Sequence, residues 1–163
     1  MAKNKEEKTN VMRVLEQKKI AYTAHTYPHE EGVAVDGVTV AKSMGFDPAI
    51  VFKTLVARGA SKQYYVFDVP VAENLDLKKA AKAVGEKSIE MIHQKELLPL
   101  TGYVHGGCSP VGMKKLFPTV FHSSAENLAG MIVSAGKIGY QVELAPHDLA
   151  ALVRAKFADI IVE

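Results

Sequence analysis

Apolar side chains in this chain come in short runs divided by polar turns, and their spacing switches several times between helix-like and strand-like. Val11, Val14 and Leu15 share one face at helical spacing behind Thr9 or Asn10, either of which can cap a first helix that fades near Ile20. Residues 21–27 alternate and predict a strand that Pro28 ends. After a loop over 29–37, Asp36 is placed to cap a short helix over 38–44, closed by Gly45 in the left-handed conformation. Asp47-Pro48 reads as a cap or turn, and residues 49–57 (AIVFKTLVA) are the most apolar strand candidate. Residues 58–63 have the composition of a hairpin loop, and residues 64–69 (YYVFDV) return as a strand stopped by Pro70. Asp76 predicts the start of a helix over 77–84 closed by Gly85, and residues 94–98 read as a short helix ended by Pro99.

The second half continues in the same manner. Residues 100–112 (LTGYVHGGCSPVG) read as a short strand that stops at paired glycines and turns over Ser109-Pro110. Strands are expected over 119–122, 131–134 and 140–144, the last two joined by a hairpin-length connection with two glycines. Pro146 opens a last helix through Ala155, and an apolar run over 157–162 ends the chain. Hairpin-length links without strict βαβ alternation predict an α/β (α+β) fold with a mixed, largely antiparallel sheet, and argue against a Rossmann fold. With no repeat or linker, residues 9–163 read as one domain behind a flexible N-terminus over 1–8.

Composition narrows the picture. At 163 residues and 48% apolar, the chain can bury a real core. Its 20 basic and 18 acidic residues leave a net charge of +2, so any nucleic-acid contact must come from a local patch. A single cysteine, Cys108, precludes an internal disulfide and suits a reducing compartment. No CxxC or zinc-like Cys/His spacing occurs, so no metal or other cofactor is expected. No apolar run approaches the roughly 18 residues of a membrane span. The expectation is a cytoplasmic protein without a membrane partner.

Two features concentrate candidate chemistry. Lys53 is the only charge in the apolar run 49–57; it must reach water by its stem or face an anion in a cleft. Gly106 and Gly107 can take positive φ and leave no side chain between backbone and ligand. Cys108 near His105 invites a nucleophile reading, but the sequence spacing of a Cys-His pair says little, and a cysteine followed by Ser-Pro in a turn is more often a small filler. His25 and His29 have the spacing of a helical metal pair, which Pro28 and the strand context break. Nucleophile-elbow, P-loop and dinucleotide motifs are absent. Lysines come in pairs at 18–19, 78–79 and 114–115, with Lys82 beside the second; they form either an ordinary solvated surface or a rim that tracks phosphates around the glycine loop.

Residues 51–55 (VFKTL), 74–91 (NLDLKKAAKAVGEKSIEM) and 102–115 (GYVHGGCSPVGMKK) together resemble the YbaK/EbsC family, in particular its free-standing Cys-tRNA(Pro) deacylases. HTYPHE at 25–30, VSAGKIGYQVELAP at 133–146 and KFADI at 156–160 extend the resemblance over nearly the whole chain. It implies a partly barrel-like mixed sheet surrounded by helices, related to the editing domain inserted in bacterial prolyl-tRNA synthetases. The implied activity removes cysteine from Cys-tRNA(Pro), and possibly from Cys-tRNA(Cys), through attack by the substrate's own thiol on its ester. That chemistry requires no enzyme nucleophile. By position, the resemblance makes Lys53 the lysine near the ester or terminal phosphate, with Tyr27 and Thr54 lining the same pocket. Gly106 and Gly107 contact the aminoacyl end, Ser109 and Pro110 shape the turn, and Ser134 falls at a pocket serine. Gln141 stands where some relatives carry an acidic residue, which withholds a general-base role from that position. The implied partners are the tRNA acceptor end and prolyl-tRNA synthetase. Two other readings stay open: deacylation of another mischarged tRNA such as Ala-tRNA(Pro), and a non-catalytic RNA- or nucleotide-binding module.

Overall fold

Thr9 starts the first helix, α1 (Asn10–Gln17): its hydroxyl accepts from the Met12 N–H at 3.3 Å, and Val11, Met12 and Leu15 are buried behind it. The computed structural model describes residues 8–163, so the expected flexible stretch over 1–8 lies, Lys8 apart, outside the described residues. Strand β1 (Thr23–Thr26) follows, and then α2 (Gly37–Ser43), which Asp36 caps by accepting from the Thr39 N–H at 3.1 Å. Asp47 holds a 3-10 turn over Pro48–Ile50. That turn removes the first residues of the apolar run from the sheet, so β2 spans Phe52–Gly59 and not 49–57.

Strands β2 and β3 (Tyr64–Pro70) form an antiparallel hairpin in which Lys53 faces Val69 and Thr54 faces Asp68. Asp76 then opens α3 (Leu77–Val84), its carboxylate accepting from the Lys78 and Lys79 N–H groups at 2.9 and 3.0 Å. Replacing Asp76 with alanine is expected to cost about 1 kcal/mol, read as a melting temperature lower by about 2–4 °C in a thermal denaturation followed by circular dichroism.

The residues 88–92 contain a short strand, β4 (Ile89–Met91). Helix α4 (Gln94–Thr101) corrects the expectation that Pro99 ends it. Pro99 is the sixth residue of a two-turn helix, and the helix stops instead at Gly102, where φ is +89° and the N–H donates to the Leu98 carbonyl at 2.8 Å. The strand expected from residue 100 is likewise absent. Residues 102–118 form an irregular loop held by its own bonds: Tyr103 N–H to Thr101 Oγ1 at 3.0 Å, the Tyr103 hydroxyl to the Val111 carbonyl, and Lys114 N–H to the Thr101 carbonyl at 3.0 Å.

Four more strands complete the fold: β5 (Thr119–His122), β6 (Met131–Ser134), β7 (Tyr140–Leu144) and β8 (Ala155–Ala158), with α5 (Pro146–Val153) before the last. Arg154, with φ +58°, ends α5 before Ala155, so Ala155 begins β8 instead of ending the helix.

The described strands divide into two open sheets, β1-β7-β6 and β4-β2-β3-β5-β8. The first is antiparallel, whereas the second joins β3 to β5 and β5 to β8 in parallel. The fold is thus mixed and largely antiparallel, as expected, and no barrel closes among the described strands. Behind the 3-10 turn over Pro48–Ile50, Val51 bridges in parallel to Ile132 of the other sheet and links the two. One core packs α1 and α5 on β6 and β7; a second packs α3 on β2, β3 and β5. Strand β3 is buried on both faces, with only Tyr64 partly exposed.

Candidate active site

A cavity of about 410 Å³ opens where β2 begins, next to the junction of the two sheets. Its wall brings together the first residues of β2 (Phe52, Lys53, Thr54 and Leu55), Tyr27 after β1, residues 34–37 ahead of and into α2, Leu97 of α4, and His105, Gly106 and Cys108 of the irregular loop. Ser134 of β6 and Gln141 of β7, cross-strand partners in the smaller sheet, also line it, with Val40, Val51 and Val71.

Six of the nine residues to which the resemblance gives a site role therefore share one cavity: Tyr27, Lys53, Thr54, Gly106, Ser134 and Gln141. Gly107, Ser109 and Pro110 stand outside its lining. Gly107 gives its N–H to the Val104 carbonyl at 3.0 Å, and a Cβ on it would lie 3.1 Å from the Ile138 nitrogen. Its lack of a side chain thus serves the close approach of two backbones. The fully buried Ser109 accepts the Val111 N–H at 3.2 Å, which fixes the turn. Gly106 differs from its neighbour: its φ is +91°, and a Cβ there would sit 2.7 Å from the Ala34 Cβ across the cavity wall.

The electrostatics of the wall set out what each group can do. Burial pushes the Lys53 ammonium toward its neutral form, and the carboxylates of Asp36 and Glu73 oppose this. Burial also raises the Tyr27 phenol, so it remains a neutral donor. Ser134 Oγ accepts the Gly136 N–H at 3.1 Å. Gln141 Oε1 is buried with no hydrogen-bond partner among the described residues.

Cys108 and His105 both reach the cavity, but no hydrogen bond joins them among the described residues. Burial, with the Asp68 carboxyl adding to it, pushes the Cys108 thiol up to about 12, so it is protonated at neutral pH and a poor nucleophile. His25, the other member of the spacing rejected as a metal pair, bonds Glu143 at 2.8 Å in the smaller sheet, while His29 donates to the Tyr27 carbonyl at 3.0 Å. No cluster of three metal-ligating side chains occurs among the described residues.

One residue behind the wall is missing from the sequence reading. Asp68 has no exposed surface, and Thr54 Oγ1 donates to its Oδ1 at 2.5 Å. The lysines are less available than their number suggests: Lys79 is tied to Asp159 and Glu163 at 3.0 and 3.3 Å, and of the pair inside the irregular loop Lys114 Nζ donates to the Pro99 carbonyl at 3.3 Å while Lys115 lies 6.0 Å from the Phe117 ring centre.

Comparisons with known proteins bear on the family and the fold. The family model described as an aminoacyl-tRNA editing domain matches residues 32–152. A protein of Enterococcus faecalis, named as a candidate Cys-tRNA(Pro)/Cys-tRNA(Cys) deacylase, EbsC, is 45% identical over 161 residues, covering 98% of each chain. A crystal structure described as a candidate trans-editing enzyme for prolyl tRNA synthetase superposes with a TM-score of 0.79 at 24% identity, over 94% of this chain and 95% of that one. Another, of a hypothetical protein, reaches 0.82 at 18% identity, over 93% and 99%. These two likenesses speak for the fold, and the match that runs through β2, the glycine loop and β7 speaks for more: this chain belongs to the aminoacyl-tRNA editing domain family.

Proposed function

We propose that residues 9–163 form one editing domain that removes cysteine from Cys-tRNA(Pro). The observation that carries this reading is a cavity with a half-buried lysine in its wall and, among the described residues, no activated nucleophile beside it. Such a wall suits a substrate that brings its own nucleophile. The cysteinyl sulfur attacks the ester carbonyl, the C–S bond forms, the C–O bond to the ribose breaks, and free tRNA and a thiolactone leave. Lys53 faces the charge that develops on the carbonyl oxygen or the terminal phosphate. Tyr27, Thr54, Ser134 and Gln141 hold the aminoacyl group, and Gly106 admits it against bare backbone, with Gly107, Ser109 and Pro110 supporting that loop. Holding the reacting atoms in place is itself worth about 7–11 kcal/mol in favourable cases.

The need for such an activity is physical. A proline-sized pocket separates substrates of similar bulk by only about 1–3 kcal/mol, so a second site must clear errors. The chain's partners under this proposal are the tRNA acceptor end, near Lys114 and Lys115, and prolyl-tRNA synthetase, which would supply tRNA selection. The cytoplasm is the compartment the same reading requires. Among the described residues, no helix is long and apolar enough to cross a membrane.

The test is deacylation of Cys-tRNA(Pro), Cys-tRNA(Cys), Ala-tRNA(Pro) and Pro-tRNA(Pro) side by side. Cysteine should leave Cys-tRNA(Pro) fastest. Alanine released first assigns the site to another editing target, and salt-sensitive binding without turnover makes it an RNA-binding module. In the same assay Cys108→Ala should keep at least about a third of the wild-type rate, since a thiol held protonated contributes little as a nucleophile; an inactive, folded Cys108→Ala would contradict the substrate-thiol route.

A further inference from the structure

We propose that Asp68, acting through Thr54, is the proton acceptor for the thiol held in the cavity, a positioning role that rests on the deacylase reading above. Thr54 and Asp68 face one another across β2 and β3, Thr54 lines the cavity, and Asp68 lies wholly behind it. A threonine hydroxyl has one proton, and this one is committed to Asp68 Oδ1 at 2.5 Å. What Thr54 oxygen can offer a bound group is therefore lone pairs, which suit an S–H donor and not an oxyanion.

The placement of Asp68 has no adequate structural explanation. A carboxyl in the middle of a doubly buried strand is costly unless both oxygens are bonded, yet Oδ2 has no partner among the described residues and no ion pair among them includes Asp68. The groups that face it are few. Strand β2 presents the Thr54 hydroxyl, β5 presents Phe121 in register, and the irregular loop presents the protonated Cys108 thiol. Burial raises the carboxyl to about 7, against the Thr54 bond that lowers it. At neutral pH it can thus both take and return a proton.

The step balances. The thiol proton passes to Thr54 Oγ1 as the threonine's own proton moves to Asp68 Oδ1. The sulfur electron pair forms the C–S bond, the ester C–O bond breaks, and the departing ribose oxygen takes a proton back along the same route, leaving Asp68 ionised.

The test combines a readout independent of activity with kinetics on the full chain. In protein labelled at the aspartate carboxyl carbon, the Asp68 resonance should titrate near 7, and Thr54→Val should move its midpoint upward. With Cys-tRNA(Pro) as probe, Asp68→Asn and Thr54→Val should each lower kcat about a hundredfold with KM within about twofold. Thr54→Ser should recover most of that loss, and the rate of wild type should rise through the pH at which Asp68 titrates. Should Asp68→Asn fail to fold by circular dichroism, the Thr54→Val and Thr54→Ser pair decides. An Asp68 midpoint near the ordinary value of about 4, or a folded Asp68→Asn with wild-type kcat and pH profile, overturns the relay while leaving the deacylase reading intact. A wild-type protein that releases no cysteine overturns both.

Discussion

Lys53→Ala lowers kcat for cysteine release from Cys-tRNA(Pro) by about a hundredfold or more, the range found when one preorganised donor is removed from a site of developing charge. The expectation follows from where the residue sits. Lys53 is in the cavity wall, one position before Thr54, in a strand whose next neighbour is buried on both faces. Burial makes its charge costly, and Asp36 and Glu73 offset that cost. An ammonium maintained against desolvation acts through few water molecules and is correspondingly strong. Lys53→Arg keeps a positive charge but replaces a compact ammonium by a planar fork, so it should recover only part of the rate. A loss confined to KM would place Lys53 on the terminal phosphate and not on the ester, since uniform binding leaves kcat unchanged.

Gly106→Ala is expected to cost both stability and activity. At φ +91° an L side chain is strained by about 1–3 kcal/mol. The added methyl also meets the Ala34 Cβ at 2.7 Å and its Cα at 3.1 Å, so either the irregular loop or the segment before α2 must move. Both line the cavity. A displacement on the order of 1 Å can lower a rate up to a hundredfold, and at least a tenfold loss of cysteine release is expected, with a melting temperature several degrees lower. Wild-type rate and melting temperature together would show that this backbone is not part of the reactive wall. Gly107→Ala, by contrast, should act through folding, because its Cβ would press on the backbone of Lys137 and Ile138 away from the cavity lining.

The contrast between these glycines marks where sequence reasoning stops. Gly106 and Gly107 are equivalent as letters; only the turn that gives the Gly107 N–H to Val104 decides which of them meets the cavity. Caps and hairpins are legible because they are local: Thr9, Asp36, Asp47 and Asp76 each accept backbone N–H groups within three residues. Pro99 misleads because a proline in a two-turn helix removes only one hydrogen bond. The strand expected after it is absent because Gly102 and Thr101 hold the chain in a cap. How the two sheets meet depends on Val51 bridging to Ile132, a long-range pairing with no local signature. Lys53 stands out as the one charge in an apolar run, and Asp68 meets the same criterion in YYVFDV. A strand pattern absorbs it, because an acid there reads as the polar member of an alternation until both faces of β3 are known to be buried.

The buried carboxyl also ties the protein's stability to acidity. An aspartate that titrates near 4 in the unfolded chain and at about 7 in the fold binds more protons folded than unfolded throughout that interval. The folded pKa is raised, so stability is greatest below the unfolded value and declines by up to about 1.4 kcal/mol for each pH unit between the two. Above about 7 the loss is complete and constant. Through this residue the fold is less stable in the pH range where its carboxyl is ready to accept a proton than in mild acid, where the same carboxyl is neutral and fits its apolar strand.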